Sequence, residues 1–134
     1  MKAPEIAQFG SWRSPITSAA IATGGVRLGQ VQLDRGEVYW VEGRPAEAGR
    51  NVIVHTRADG TSEDVTPVPF NVRTRVHEYG GGAYAVQDGT VFFCNDADQR
   101  VYRQDQGLAP QAITPQAKAR YADLICDRLR RFGQ

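Results

Sequence analysis

Residues 36–42 read GEVYWVE and residues 89–95 read GTVFFCN, so the same seven-residue pattern occurs twice in the chain. In each copy a glycine is followed by a run of β-branched and aromatic residues, which is typical of a strand buried on both faces. The turn residues Asp34-Arg35-Gly36 and Asp88-Gly89 stand at the start of the two runs. An Asp and a Gly between apolar runs favour a tight hairpin, because Gly takes a positive φ without a clash at Cβ. The two stretches therefore predict two hairpins of the same kind.

The correspondence extends to further segments around this pattern. Asn51–Val54 corresponds to Arg100–Arg103, and Asp64–Pro67 corresponds to Ala112–Pro115. A strand that ends in Asp precedes each unit, and a third such strand follows the second unit; the three are Leu28–Asp34, Ala83–Asp88 and Tyr121–Asp127. Four short strands that repeat with a period of about 50 residues are typical of the blades of a β-propeller.

We therefore predict an all-β fold that is a partial, unclosed β-propeller, with about two four-stranded antiparallel blades and the first strand of a third. Residues 1–24 are predicted as an irregular leading segment with a helical turn near Ile16–Ile21, and residues 25–134 as the partial propeller. Blade one is placed at about 26–67, blade two at about 80–115 and the start of blade three at about 120–134. A helical turn is also predicted within Pro115–Leu124. A small β-sandwich or an open meander is the alternative fold for the same strands.

A blade needs a neighbour on both faces, which has consequences for its apolar side chains. Trp40, Phe92 and Phe93 are expected to lie between blades. Because a closed propeller takes roughly four to eight blades, at least one blade face is expected to remain open. Such a face, together with an unpaired edge strand such as Val38–Val41, favours self-association.

The composition excludes several classes of partner. The chain has 16 Lys and Arg against 15 Asp and Glu, so no bulk charge attracts nucleic acid or an anionic membrane. The cluster Arg128, Arg130 and Arg131 is interpreted as the outward edge of a strand. There is neither a signal peptide nor an apolar stretch of membrane-spanning length, and both cysteines lie in apolar strand-like runs, so a cytoplasmic protein with reduced thiols is predicted.

The motifs of catalysis and of cofactor binding are not found in the chain. None of its four serines lies in a GxSxG turn, and its glycine runs lack the Lys-Ser/Thr pair of a phosphate-binding loop. Cys94 and Cys126 belong to no metal-binding pattern. His55 is interpreted as a strand residue that faces solvent or pairs across strands. We therefore predict no catalytic residue, no metal and no cofactor in this chain.

One polar stretch, Phe70 to Gly82, lies between the last strand of the first blade and the first strand of the second. The loop before the innermost strand of a blade lies at one mouth of the central channel of a propeller. One interpretation is an inter-blade packing device, in which Arg75 pairs with Glu78 and the three glycines let strands cross closely. The other is a ligand site, in which Glu78 holds a cationic group such as a peptide amine. The candidate substrate-binding residues are Glu78, Arg75, His77 and Arg73.

The sequence RTRVHEYGGGAY at residues 73–84 resembles a hallmark of the N-terminal propeller of acylaminoacyl-peptidases and dipeptidyl-aminopeptidase-like enzymes of the prolyl oligopeptidase superfamily. Residues 10–17 (GSWRSPIT) resemble the opening of the same proteins. Residues 39–50 resemble their first blade and residues 95–102 their second. The resemblance covers roughly residues 9–130, which is nearly the whole chain.

The resemblance implies a serine exopeptidase in which a propeller is followed by an α/β-hydrolase domain that carries the catalytic triad. In such enzymes the propeller admits only small peptides, and acidic propeller groups bind the free amino terminus of the substrate. No triad position is matched here and the hydrolase domain is expected to be absent, so no catalysis is expected from this chain alone. The resemblance implies a part that gates and positions short peptides, with the hydrolase domain as its partner. The alternatives are a non-enzymatic protein-interaction module that self-associates and an inactive truncated gene product.

Overall fold

The chain folds into two four-stranded antiparallel sheets. The structure is a computed structural model, and it describes residues 4, 6–11, 13–19, 24–78 and 80–127. Each sheet is a meander in which consecutive strands are neighbours. Sheet one consists of β1 (Arg27–Asp34), β2 (Glu37–Arg44), β3 (Arg50–Thr56) and β4 (Ser62–Asp64). Sheet two consists of β5 (Tyr84–Gln87), β6 (Thr90–Cys94), β7 (Val101–Gln104) and β8 (Gln111–Ala112).

The sequence repeat is also a structural repeat, but the third strands are shifted by one residue from the predicted correspondence: Ile53, and not Val52, is equivalent to Val101. In sheet one the Ile53 amide donates to Thr66 Oγ1 over 3.0 Å. In sheet two the Val101 amide donates to Thr114 Oγ1 over 2.9 Å. Both threonines belong to the Thr-Pro pairs that the repeat had aligned. In each sheet the hydroxyl extends the pairing of the third strand beyond the end of a short fourth strand.

The first hairpin turns of the two sheets have the same backbone shape. The turn of sheet one has φ 50° at Arg35 and 78° at Gly36, and the turn of sheet two has φ 50° at Asp88 and 78° at Gly89. Both turns join strands through two residues at positive φ, where Asp and Gly are tolerated best. Arg35 and Asp88 are therefore equivalent positions, and so are Asp34 and Gln87, the last residues of β1 and β5.

The two sheets pack face to face around an apolar core. Tyr39, Val41 and Ile53 of sheet one contact Tyr84 and Phe93 of sheet two in a single buried cluster. Phe93 is fully buried, and Phe70 and Tyr102 pack on its ring at centroid distances of 5.7 Å each. Burial of aromatic and branched side chains between two sheets supplies the main stabilising free energy of such a pair.

Polar side chains of β1 connect the two sheets at one edge of this core. The buried Asp34 carboxylate accepts the amides of Asp88 and Gly89 over 3.0 and 2.8 Å. The Gln32 amide nitrogen donates to the Tyr84 carbonyl over 2.8 Å. Backbone groups of β5 that would otherwise be buried unpaired are satisfied by β1, so the sheets have a defined register as well as an apolar contact.

The all-β prediction and the unclosed blade arrangement are confirmed for the described residues, since the two meanders form no closed sheet. The chain exposes 10177 Å² to solvent at a mass of 14.7 kDa. A folded monomer of this mass exposes about 6,900 Å² on average. The leading segment, whose described residues up to 19 are all exposed, contributes to this excess, as do exposed apolar side chains of β1 such as Leu28 and Leu33.

Several local predictions are wrong in the structure. Tyr121 to Asp127 form no strand: the segment lies beside sheet two, where residues 124–127 line a groove with β5 and β6, but it pairs with none of the described strands. Pro115 to Leu124 contain bends but no helical turn. Val38–Val41 is not an edge strand, since β2 pairs with both β1 and β3.

Part of the predicted organisation falls on residues that are not described. Ser18 and Ala19 are helical, and residues 20–21 of the helical turn predicted near Ile16–Ile21 lie outside the described residues. The predicted arginine cluster at 128–131 and the remainder of the proposed third blade to residue 134 also lie outside them.

The three aromatic residues predicted between blades are distributed differently. Phe93 lies between the two sheets, as expected. Phe92 points to the opposite face of sheet two, where it lines an open groove. Trp40 lies on the face of β2 opposite Tyr39 and Val41, because neighbouring residues of a strand point to opposite sides. Two of the three side chains therefore face away from the core and are half-buried.

The environment of the two thiols predicts unequal reactivity. Cys94 is fully buried and its Sγ lies 3.2 Å from the Tyr121 carbonyl, and burial raises its pKa to about 11. Cys126 is half-buried, and burial raises its pKa as well. Because the thiolate is the reactive species, we expect alkylation at pH 8 to modify Cys126 well before Cys94. Peptide mass mapping of the folded chain after timed iodoacetamide treatment measures the alkylation rate of each thiol. As a control, the two thiols should be alkylated at equal rates when the chain is unfolded in urea.

No helix among the described residues is long and apolar enough to cross a membrane.

Candidate functional site

The segment that joins the two sheets, residues 70–82, is called the crossover here because it passes from the end of sheet one to the first strand of sheet two. The Val72 amide donates to the Asn51 carbonyl of β3 over 2.9 Å, and the Arg73 amide donates to the Cys94 carbonyl of β6 over 3.0 Å. Asn71 and Asn95 add side-chain bonds at the same place. The crossover is thereby attached to both sheets and its position is well defined.

Exposure alternates along the first half of the crossover. Val72 and Thr74 are buried at 1% and 3% exposure, whereas Arg73, Arg75 and His77 are exposed. The alternation follows from the extended backbone, which directs neighbouring side chains to opposite sides. Arg73 and Arg75 therefore share one solvent-facing side of the crossover, and His77, also exposed, belongs to the 3-10 turn Val76–Glu78.

Arg75 is held by groups from the loop after β6. Its guanidinium makes a two-pronged contact with the Asp96 carboxylate, at 2.7 Å from Nε to Oδ1 and 3.1 Å from Nη2 to Oδ2. The Arg75 amide also donates to Gln99 Oε1 over 2.9 Å. The Asp96 carboxylate raises the pKa of Arg75 further above its ordinary value. The predicted pairing of Arg75 with Glu78 is wrong, because Asp96 offers the planar, two-oxygen geometry that a guanidinium prefers.

Glu78 ends the crossover turn and its side chain is 79% exposed. Arg120 Nη1 donates to Glu78 Oε1 over 2.8 Å and to the Arg75 carbonyl over the same distance. The hydrogen bond from Arg120 holds the pKa of Glu78 below its ordinary value, and its charge acts in the same direction. His77 and Glu78 have φ of 52° and 63°, which turns the chain sharply and directs Glu78 to solvent. Glu78 is thus a charged, accessible carboxylate with one arginine partner.

The glycines of the crossover allow another segment to approach closely, as the packing interpretation expected. A Cβ added at Gly81 would lie 3.0 Å from Ala122 Cβ, and one added at Gly82 would lie 3.0 Å from Asp123 Oδ1. The Gly82 amide donates to Asp123 Oδ1 and the Asp123 amide donates to the Gly82 carbonyl, each over 2.8 Å. The segment around residues 121–123 therefore occupies the space that the missing side chains leave.

The structure places Arg73, Arg75, His77 and Glu78 on one short segment, but it brings them into no common contact. Arg75 and Glu78 instead bind Asp96 and Arg120, which sequence reasoning did not select. Asp96 lies in the stretch that had been compared with the second blade of the family, and Arg120 lies in a segment without any motif. Tyr79, between Glu78 and the glycines, lies outside the described residues.

His55 takes the second of its two predicted roles and lies across from a strand neighbour. It is 4% exposed and its ring stacks on Tyr39 at a centroid distance of 4.3 Å. Its Nε2 lies 2.5 Å from Glu37 Oε2. In the part of the chain that the structure describes, His55 joins no group of three His, Cys, Asp or Glu side chains that could hold a metal ion.

Comparisons with known proteins agree with the resemblance seen in the sequence motifs. A solved structure described as puromycin hydrolase is 38% identical with a TM-score of 0.75, and the match covers 92% of this chain and 21% of that chain. A puromycin-hydrolyzing peptidase of Mycobacterium tuberculosis is also 38% identical, with a TM-score of 0.77 and coverage of 87% and 19%. No protein-family model and no curated protein matches the chain.

The fold and these matches define the class as the propeller of a peptidase. The chain matches a propeller fragment of a peptidase of the prolyl oligopeptidase family. It spans about a fifth of the length of the two solved peptidase chains, at 21% and 19%.

Proposed function

We propose that this chain gates and positions short peptide substrates in a serine exopeptidase of the acylaminoacyl or dipeptidyl type, and that Glu78 receives the free amino group of the substrate. The exposure of the Glu78 carboxylate beside β5 carries the proposal. In a propeller the first strand of each blade borders the central channel. Support comes from the contact between β5 and β1, which marks both as the inner strands of adjacent sheets.

The electrostatics of the crossover suit a carboxylate that binds an amine. Because Arg120 holds the pKa of Glu78 below its ordinary value, the carboxylate is charged at neutral pH, where a peptide amine is largely protonated. Arg120 is 43% exposed, so an incoming ammonium group can share Glu78 with it or displace it. Arg73 and Arg75, on the same exposed side, are cationic groups for the carbonyl oxygens or the carboxylate of the substrate.

The proposal includes a separate catalytic domain as partner and a cytoplasmic location. It includes no catalysis by this chain alone, since none of its serines lies in a nucleophile elbow. We expect an aminoacyl chromogenic substrate to remain intact when it is incubated with the purified chain. Turnover that disappears in Glu78→Gln or His77→Ala variants would contradict this assignment.

Puromycin, which the two solved peptidases are described as hydrolysing, is a suitable probe because its aminoacyl part carries a free amino group. We expect puromycin to shift the backbone amide resonances of residues 75–78 and 120 in a nitrogen–proton correlation spectrum. Glu78→Gln should weaken this binding about tenfold or more, because the charge-assisted contact to the ammonium group is lost. N-acetylated puromycin has no free amino group, so it should bind the native chain as weakly as puromycin binds the Glu78→Gln variant.

Glu63→Gln is the matched control for this titration. Glu63 is also an exposed carboxylate paired with an arginine, Arg57, but it lies on β4, away from the crossover. Its substitution should leave the puromycin titration unchanged. Equal binding of native and Glu78→Gln chains would remove Glu78 from the proposed site.

The uncovered sheet faces favour a second candidate function, a non-enzymatic interaction module that associates with copies of itself. On the side of sheet one away from sheet two, Leu33 and Val31 are 74% and 65% exposed. On the far side of sheet two, Phe92, Val101 and Ile113 line an open groove that residues 124–127 of the same chain border. Apolar surface of this extent favours association.

A further inference from the structure

A cleft of about 340 Å³ opens between the two sheets, at the end of the strands away from the crossover. The crossover is attached to Asn51 at the start of β3 and to Cys94 at the end of β6. The cleft is lined instead by His55 near the end of β3 and by Val91 near the start of β6. It is therefore separate from the proposed peptide site at Glu78, and it reaches the size at which small-molecule sites begin, about 300 Å³.

A buried acceptor in the wall of this cleft has no partner. Gln104 of β7 lines the cleft and is 8% exposed, and its Nε2 donates to the Val65 carbonyl of sheet one over 2.7 Å. Because a carbonyl oxygen only accepts, this bond fixes the nitrogen of the Gln104 amide and leaves Oε1 as its other atom. Oε1 has no hydrogen-bond partner among the described residues. A donor that enters the cleft to this depth gains a hydrogen bond that the described part of the chain does not supply.

Two carboxylates of the cleft, one from each wall, keep one oxygen free of described partners. The described partners of Glu63, of which Arg57 is the nearest at 2.5 Å, all contact Oε1. Thr90 and Arg103 both donate to Asp105 Oδ1, over 2.9 and 3.1 Å. Glu63 belongs to β4 of sheet one, and Asp105 follows β7 of sheet two. Glu63 Oε2 and Asp105 Oδ2 are therefore acceptors that approach the cleft from opposite sheets.

The electrostatics of the cleft favour a cation. Among the described side chains that line it, carboxylates outnumber arginines by three to one. The carboxylates are those of Glu63, Asp64 and Asp105, and the arginine is Arg57. Burial raises the pKa of Tyr39, whose ring also lines the cleft, and the carboxylates of Asp34 and Glu37 act in the same direction more strongly than Arg35 opposes them. Negative charge that disfavours a phenolate here attracts a cation for the same reason.

We propose that this cleft binds a primary ammonium group carried on a short apolar stem. The three acceptors, Gln104 Oε1, Glu63 Oε2 and Asp105 Oδ2, match the three donors of an ammonium group. A guanidinium group would use both oxygens of one carboxylate for its planar fork, and each of these carboxylates offers a single oxygen. Val91 and Leu108 supply apolar surface for the stem. The inference goes beyond the proposed function and does not depend on it.

Titration of the 134-residue chain with n-butylammonium chloride, followed in a nitrogen–proton correlation spectrum, tests the inference. We expect the side-chain amide of Gln104 and the backbone amides of residues 104–108 to shift. n-Butyltrimethylammonium has the same stem and the same charge but no N–H donor. It should bind the cleft about tenfold more weakly, because the charge-assisted hydrogen bonds are lost while the charge is kept.

Asp105→Asn changes the free oxygen and little else. The asparagine keeps Oδ1 for Thr90 and Arg103, whereas a donor, Nδ2, replaces the free Oδ2. n-Butylammonium should bind this variant about tenfold more weakly than the native chain. Glu47→Gln is the matched control, because two arginines occupy both oxygens of Glu47 in the loop between β2 and β3, and its titration should be unchanged. Circular dichroism verifies that each variant is folded.

A further ligand distinguishes the two sources of such an ammonium group. Nα-acetyl-lysine methylamide carries the same stem on a peptide backbone. Binding at least as tight as that of n-butylammonium supports a lysine side chain of a protein, and binding about tenfold weaker supports a free amine.

Three results would each overturn the inference. They are no shift at residues 104–108 with n-butylammonium, equal binding of the two butyl cations, and unchanged affinity in the Asp105→Asn variant. The second comparison needs no substitution, so it holds even where a variant is unstable. Glu78→Gln should leave the shifts at residues 104–108 unchanged, so failure at the cleft does not affect the proposed peptide site.

Discussion

Replacing Phe93 with Ala is expected to lower the free energy of unfolding by about 3–5 kcal/mol, because the substitution empties the centre of the core. Phe93 is fully buried between the sheets, and the rings of Phe70 and Tyr102 pack on it. A domain of this size is stable by only about 5–15 kcal/mol, so the variant should lose much of its cooperative transition. Urea unfolding followed by circular dichroism measures the effect.

Phe9→Ala is the matched control for this substitution. Phe9 is fully exposed, so removal of the same ring should change the free energy of unfolding by less than about 0.5 kcal/mol. If the two variants unfold at the same urea concentration, the packing of the sheets through Phe93 is incorrect.

Replacing Asp34 with Ala is expected to cost about 2–3 kcal/mol and to loosen the contact between the sheets. The Asp34 carboxylate is 5% exposed and accepts two amides from the hairpin turn of sheet two. Without the carboxylate those amides lose a charged acceptor, and a hydrogen bond to a charged group contributes about 1.5–3 kcal/mol. Hydrogen exchange of the Asp88 and Gly89 amides should accelerate together with the loss of stability.

Asp59→Ala provides the comparison for Asp34→Ala. Asp59 also accepts an amide at a hairpin turn, that of Thr61, but the turn is exposed and joins strands of a single sheet. Water replaces the lost acceptor there, so the cost should be below about 1 kcal/mol. Faster exchange at Gly89 in Asp59→Ala, or unchanged exchange in Asp34→Ala, would contradict the proposed link between the sheets.

The strands and turns could be predicted from the sequence because their causes are local. The paired hairpins at residues 36–42 and 89–95 follow from apolar runs that begin at turn residues with positive φ. The recurrence of this sequence pattern also identified the blade as the repeating unit. Tyr121 to Asp127 has a similar alternating pattern and forms no strand, because a strand needs a hydrogen-bonded neighbour as well as a suitable sequence.

The candidate site could be located from the sequence, but its pairing could not. The stretch from Arg73 to Gly82 stands out by its charges and glycines. The ionic partners of Arg75 and Glu78 are Asp96 and Arg120, which lie 21 and 42 positions further along the chain. Periodicity carries no information about contacts at such separations.

The sequence by itself determined the all-β class, the repeating four-strand unit and the resemblance to a peptidase family, since all three follow from local sequence patterns and motifs. Only the tertiary structure decided which face of each sheet is buried. Phe92 and Phe93 are adjacent and nearly identical in chemistry, yet Phe93 fills the core while Phe92 lines an open groove. The physical reason is that a strand directs neighbouring side chains to opposite sides, and the packing of sheet one selects the side that is covered.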